Sequence, residues 1–143
     1  MAKTLHLYIA AAALVVVAGT QVVLRAQGTV SAGVYTEAQA KRGAGLYTEQ
    51  CAACHGDDLK GNDIIPGLTG DTFTGNWQGK SVGDLYDKIQ MTMPALNPGS
   101  LTPAQTADLI AQMLSVSKYP AGETDLASTV DALQQIKIDP PKR

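Results

Sequence analysis

Residues 49–58 read EQCAACHGDD, two cysteines three apart with a histidine directly behind the second. The rest of the chain is read from this run, because it admits three chemistries that demand different surroundings. A redox CxxC needs a reactive thiolate and normally rides on a βαβ scaffold. A zinc site needs four protein ligands, or three and a water. In the third use both thiols and the imidazole serve together as an attachment point for haem.

The residue inventory separates them. Cys51 and Cys54 are the only cysteines, and the only other histidine, His6, lies in the apolar N-terminal stretch. Three clustered residues are too few for a structural zinc. No alternating polar and apolar run marks a strand, so the scaffold of a thiol oxidoreductase is missing as well. Haem c uses all three residues at once: the thiols add covalently to its vinyl groups, and His55 reaches the iron from one face. Covalent attachment also accounts for cysteines that escape oxidation outside the cytoplasm.

The N-terminus directs the domain to that compartment. Lys3 opens a short basic start, Leu7 to Ala18 reads LYIAAAALVVVA, and Gly19-Thr20-Gln21 is smaller and more polar, the order of an export signal. Ala26, with Leu24 two before it, offers a cleavage site that leaves a mature chain from Gln27. Leu7 to Leu24 also carries no charge, and a run of that length suits a retained membrane anchor. Residues 1–26 are therefore expected to be a signal peptide or an N-terminal anchor through residues 7–24. The domain is expected to be periplasmic or otherwise extracytoplasmic, soluble after cleavage or tethered to the inner membrane. Past residue 26, nine Lys and Arg face thirteen Asp and Glu, a net charge of −4 that argues against nucleic acid as a partner.

With 143 residues the chain has room for one ordinary domain. Aromatics make up only 5% of it, thin for a core of this size, so a large apolar cofactor is expected to fill part of the interior. Residues 27–35 read as a flexible lead-in. Thr36 and Gln39 then form a capping box for a helix running up to Cys51. Between residues 56 and 80, closely spaced glycines and a proline predict a long loop, which needs something to wrap around. Val82, Leu85, Tyr86 and Ile89 fall at i, i+3, i+4 and i+7 and predict a helix from Ser81 that stops before Met93-Pro94. Thr102 caps a third helix, with Pro103 first and Gln105 completing a capping box. Its apolar stripe is Leu109, Ile110, Met113 and Leu114, and it runs to about Lys118. Leu126, Val130, Leu133 and Ile136 predict a short docking helix. The fold class is all-α: three main helices and a short C-terminal one around a single haem, with long loops, over residues 36–143.

Iron held by His55 needs a ligand on its other face, or a vacancy. Past the signal there is no second histidine, and the remaining methionines are Met91, Met93 and Met113. Met113 sits on the apolar stripe of the third helix and reads as core. Met93, on a helix exit before a proline, is the leading candidate. Met91, in the fraying end of the same helix, is the second, and an open iron the third. A thioether favours reduced iron, so it raises the potential and closes the site to oxygen and peroxide.

Several stretches together resemble a class I c-type cytochrome, of the kind found alone or fused to pyrroloquinoline-quinone alcohol dehydrogenases. They are GAGLYTEQCAACHG (43–56), IIPGLTG (64–70), TFTGNWQGKSVGDLYDKI (72–89), MPALNPGSLTPAQTADLIAQML (93–114), YPAG (119–122) and DALQQIKI (131–138). The resemblance implies His55 and Met93 as the axial pair and a Pro66 carbonyl that accepts a hydrogen bond from the His55 ring. It implies Leu68 against the haem face and Trp77 near the haem edge or a propionate, although a plain core tryptophan reads nearly as well. One departure concerns packing: Ala111-Gln112-Met113 stands where many relatives carry Ala-Tyr-Leu, so the helix crossing is expected to use Tyr47 and Met113 instead.

The function this implies is single-electron transfer, with redox proteins as partners: a quinoprotein dehydrogenase, a quinol-oxidising complex or a terminal oxidase. If the anchor is kept, the chain is the membrane-anchored cytochrome subunit of a larger redox complex. A peroxidase-like haem enzyme would need an open iron and a distal acid–base group, and no distal histidine is available. Asp57, Asp58 and Asp63 read as solvated surface.

Overall fold

The computed structural model describes residues 28–141; the expected signal or anchor of residues 1–26 lies outside the described residues. Three long helices dominate: α1 (Glu37–Gln50), α4 (Val82–Thr92) and α5 (Pro103–Val116). Between them lie the single turn α2 (Ala52–His55) and the short helix α3 (Gly70–Trp77), and the one-turn α6 (Val130–Leu133) follows α5. A two-residue parallel pair joins the ends, β1 (Gly28–Thr29) against β2 (Ile136–Lys137), with Gly28 opposite Ile136. Among the described residues no helix is long and apolar enough to cross a membrane.

The caps place the helix starts where the sequence puts them. Thr102 and Gln105 exchange both bonds of a capping box at the head of α5. Ser81 and Asp84 do the same for α4, at 3.0 and 2.8 Å. At α1 only half of the expected box forms. The Thr36 hydroxyl accepts from the Gln39 N–H at 3.0 Å. The Gln39 side chain instead bonds both backbone groups of Leu126, donating to its carbonyl at 3.1 Å and accepting from its N–H at 2.6 Å. Both bonds are buried, and they join the head of α1 to the C-terminal segment.

α1 crosses α5 at Gly43, where an added Cβ would collide with the Asp108 carbonyl and stand 3.0 Å from the Gln112 Cβ. This corrects the expected Tyr47 and Met113 crossing: the closest approach is glycine against the backbone of Asp108. Tyr47 and Met113 are both buried in the core cluster, beside Leu109, Ile110 and Leu114 of α5 and Leu85 and Ile89 of α4. Each such side chain, taken fully out of water, contributes on the order of 1.5–3 kcal/mol.

Three further expectations need correction. The segment 56–80 is not loop throughout, since α3 forms around Phe73, which is fully buried. A helical turn sits between its glycines because one aromatic anchors it. The described part of residues 27–35 is not a free lead-in: Val30 is fully buried, the Tyr35 hydroxyl donates to the Tyr119 carbonyl at 2.7 Å, and Gly28–Thr29 pairs with β2. The C-terminal docking helix is a single turn. Beyond it Ile136 is in a strand, and Ile138 enters the core.

Candidate functional site

A cavity of about 760 Å³ opens between the turn α2, the loop before α3, and the facing sides of α4 and α5. That volume falls within the ~300–1,000 Å³ of ordinary small-molecule sites. Its floor is apolar, with Leu85 and Ile89 from α4 and Leu109 and Met113 from α5. All seven residues singled out from the sequence line it: Cys51, Cys54, His55, Pro66, Leu68, Trp77 and Met93.

One wall is built from the CxxCH run. Cys51 ends α1 with its N–H bonded to the Tyr47 carbonyl at 2.9 Å, and the turn α2 then carries Cys54 and His55 onto the same side. The Tyr47 hydroxyl donates to the Gly56 carbonyl at 2.6 Å, which fixes the exit of that turn. Both thiols are free. Burial, with the charge of Cys54 second, pushes the Cys51 thiol up to about 11. A thiol–disulfide catalyst depends on the opposite shift, so the redox reading of the motif finds no support here.

The loop that follows folds back on this wall. Gly61 N–H donates to the His55 carbonyl at 2.8 Å, and Leu68 N–H to the Leu59 carbonyl at 2.7 Å. Asn62 accepts from the N–H groups of Ile64 and Ile65 through its side chain. At Gly61 (φ +65) a Cβ would collide with the Ile65 carbonyl, so the two limbs touch through glycine. The closed loop brings the Pro66 carbonyl 2.9 Å from Nδ1 of His55. A carbonyl can only accept, so Nδ1 donates this bond and Nε2 is the ring nitrogen left for another partner.

The facing wall ends in Met93. It caps α4 in extended conformation (φ −127°, ψ 151°), its N–H still bonded to the Ile89 carbonyl, and there its side chain leaves the helical stack and lines the cavity. Met91 is 68% exposed and does not line the cavity. Met113, read as core, is core and cavity lining together. Trp77 is half-buried at the rim, with the Lys80 ammonium 4.9 Å from its ring centroid. Lys80, Lys88 and Asn76 also line the cavity; the sequence reading missed them, because isolated polar residues on turns and helix faces give no periodic signal.

The donor set suits a haem. Two thiols and an imidazole stand on one wall, a thioether on the other, an apolar floor between them and cations at the rim. No group of three or more His, Cys, Asp or Glu among the described residues could hold a metal ion, which leaves the zinc reading without ligands.

Sequence comparison with known proteins gives the same direction. The family described as cytochrome c oxidase, cbb3-type, subunit III matches residues 38–113. The fructose dehydrogenase cytochrome subunit of Gluconobacter japonicus is 31% identical over 105 residues, 66% of this chain and 22% of that protein. The cbb3-type cytochrome c oxidase subunit CcoP of Rhodobacter capsulatus is 33% identical over 97 residues, 57% of this chain and 31% of that protein. The chain thus spans between a fifth and a third of the length of these relatives. Among solved structures, the sulfane dehydrogenase SoxCD of Paracoccus pantotrophus is similar over 76% of this chain and 62% of that one, with 23% identity and a TM-score of 0.49.

Proposed function

The chain belongs to this cytochrome family and transfers electrons through a covalently attached haem c, and from that premise we propose that His55 and Met93 are the axial ligands of its single iron. When bound, the haem supplies a one-electron ferric/ferrous couple. Cys51 and Cys54 would hold the macrocycle by thioether bonds. His55 offers Nε2 to the iron, with the Pro66 carbonyl orienting the ring and raising its basicity through Nδ1–H, as hydrogen-bond partners of metal-bound histidines do. Met93 would supply a sulfur from the facing wall, and a thioether ligand favours electron transfer over oxygen or peroxide chemistry. Leu68 and the floor residues would give the haem an apolar surface to lie on. Trp77 and Lys80, paired at the rim, would offer an indole N–H and an ammonium to the propionates.

The observation that carries this reading is the convergence of four donors, from residues 51–55 and residue 93, on one apolar cavity. The experiment is an optical and redox titration of the purified holoprotein beside Met93→Ala. If spectrum and midpoint potential are unchanged in the variant, Met93 is not a ligand.

The partners we infer are redox proteins: a dehydrogenase as donor and an oxidase or oxidase-linked complex as acceptor, in an extracytoplasmic compartment. Support comes from the relatives, one the cytochrome subunit of a fructose dehydrogenase and one a subunit of a cbb3-type oxidase. Sequencing the N-terminus of the purified protein tests the compartment and the anchor together. A start near Gln27 makes the chain a soluble shuttle, and an intact Met1 makes it a tethered subunit.

A further inference from the structure

The loop that carries Met93 is tied at both ends, and the second tie is a side chain. At its start the Met93 N–H bonds the Ile89 carbonyl at 2.9 Å. Inside, the Asn97 N–H bonds the Pro94 carbonyl and the Ser100 N–H the Asn97 carbonyl, while Gly99 (φ +78) turns the chain back until its would-be Cβ stands 4.0 Å from the Gln90 carbonyl. At its end the Gln90 amide, reaching out from the last turn of α4, donates to the Leu101 carbonyl at 3.2 Å and to the Thr106 hydroxyl. Thr106 is fully buried, and its hydroxyl donates in turn to the Thr102 carbonyl at 3.3 Å. One half-buried side chain therefore joins the exit of α4 to the entry of α5 and closes the base of residues 93–101.

We propose that Gln90 is a positioning residue for the Met93 sulfur, a clamp that keeps the 93–101 loop shut over the distal face of the haem and so sets how readily the sulfur yields its place to another ligand. This rests on the assignment of Met93 as axial ligand. The physical argument is loop closure. Leu101 is buried and holds the far end by packing, but packing is non-directional and does not fix the register of the chain between Pro94 and Ser100. The amide adds direction at the far end of the loop, donating to the Leu101 and Thr102 carbonyls and to the buried Thr106 hydroxyl. Removing the amide leaves an opening of the loop, with Met93 off the iron, as the state that gains most population.

The test is the rate at which imidazole binds to the ferric holoprotein, since a small outside ligand enters only when the sulfur leaves. Wild type, Gln90→Leu and Thr106→Val are compared, with Ile138→Val as a control that trims a fully buried side chain away from the cavity. Q90L is expected to bind imidazole about tenfold faster, the ratio that a lost hydrogen bond of ordinary strength corresponds to. T106V is expected to give a smaller acceleration, and Q90L/T106V no more than Q90L alone. I138V is expected to lower thermal stability and leave the rate unchanged. The weak red absorption band that a sulfur ligand gives ferric haem separates the two claims. A wild type without that band overturns the Met93 assignment and the clamp with it. A wild type with the band, and Q90L exchanging at the wild-type rate, overturns the clamp alone; if Q90L does not accumulate as holoprotein, T106V exchanging at the wild-type rate does the same.

Discussion

The wall that carries Cys51, Cys54 and His55 is made from one short stretch of chain, whereas the wall that carries Met93 is made by bringing separated stretches together. On the first, the end of α1 and the single turn α2 set three donors within five residues, and the local bonds from Tyr47 and Gly61 hold them. On the second, one donor hangs on a loop whose closure depends on α4, α5 and a glutamine between them. A locally built wall is as firm as its covalent chemistry. One built from distant parts is as firm as the packing of the whole domain, and so it is the wall that opens.

The sharpest way to separate them is to remove their donors in turn. Cys51→Ala with Cys54→Ala is expected to abolish covalent haem altogether, read as loss of haem stain on a denaturing gel. Met93→Ala is expected to keep that stain at full strength while the midpoint potential falls by on the order of 100 mV, part of the ~0.8 V over which axial ligands tune haem iron. Equal loss of stain in both would mean that the walls are not independent.

Packing makes a finer distinction. Leu59, behind the first wall, and Leu101, lining the cavity on the second, are nearly equally buried. Truncating either to Ala is expected to cost about 2–5 kcal/mol in denaturant unfolding. Only Leu101→Ala is expected to weaken the red sulfur band. A band that weakens equally in Leu59→Ala would erase the contrast.

The smallest effect concerns the start of α4, the helix that ends in Met93. The backbone N–H of Ser81, then its hydroxyl, holds the Asp84 carboxyl below the usual carboxylate range. A depressed folded value means that this stability is present above the unfolded pKa of about 3.9 and is lost as pH falls through the lowered one. Asp84→Asn is therefore expected to cost about 0.3–1 kcal/mol at neutral pH, a gap that closes in acid. Urea midpoints for both proteins across pH measure it, and a constant gap would contradict the assignment.

The same local and non-local division governs what could be read from the chain. The CxxCH run, the helix start at Ser81, the capping box at Thr102 and the helix stop at Met93-Pro94 are short-range signals, and each appears where its residues stand. Residues 28–35 read as a tether because what orders them, Tyr119 and the strand at Ile136–Lys137, lies far along the sequence. Gln39 reads as half of a local box, yet its side chain goes to Leu126. α3 was hidden because glycines at 70 and 75 outweigh, in any local window, the single buried Phe73 that holds the helix in place. Met113 reads as core by its stripe, and only the facing α4 shows that the core and the cavity share it.

The β1–β2 pair has a mechanical meaning as well. A leash that started at Thr36 would give the domain residues 28–35 as slack, at most about 29 Å when fully extended. With Gly28 and Thr29 zipped to Ile136 and Lys137, that slack is taken up. A retained anchor would therefore hold the domain on a shorter lead, with a correspondingly smaller volume in which to find partners.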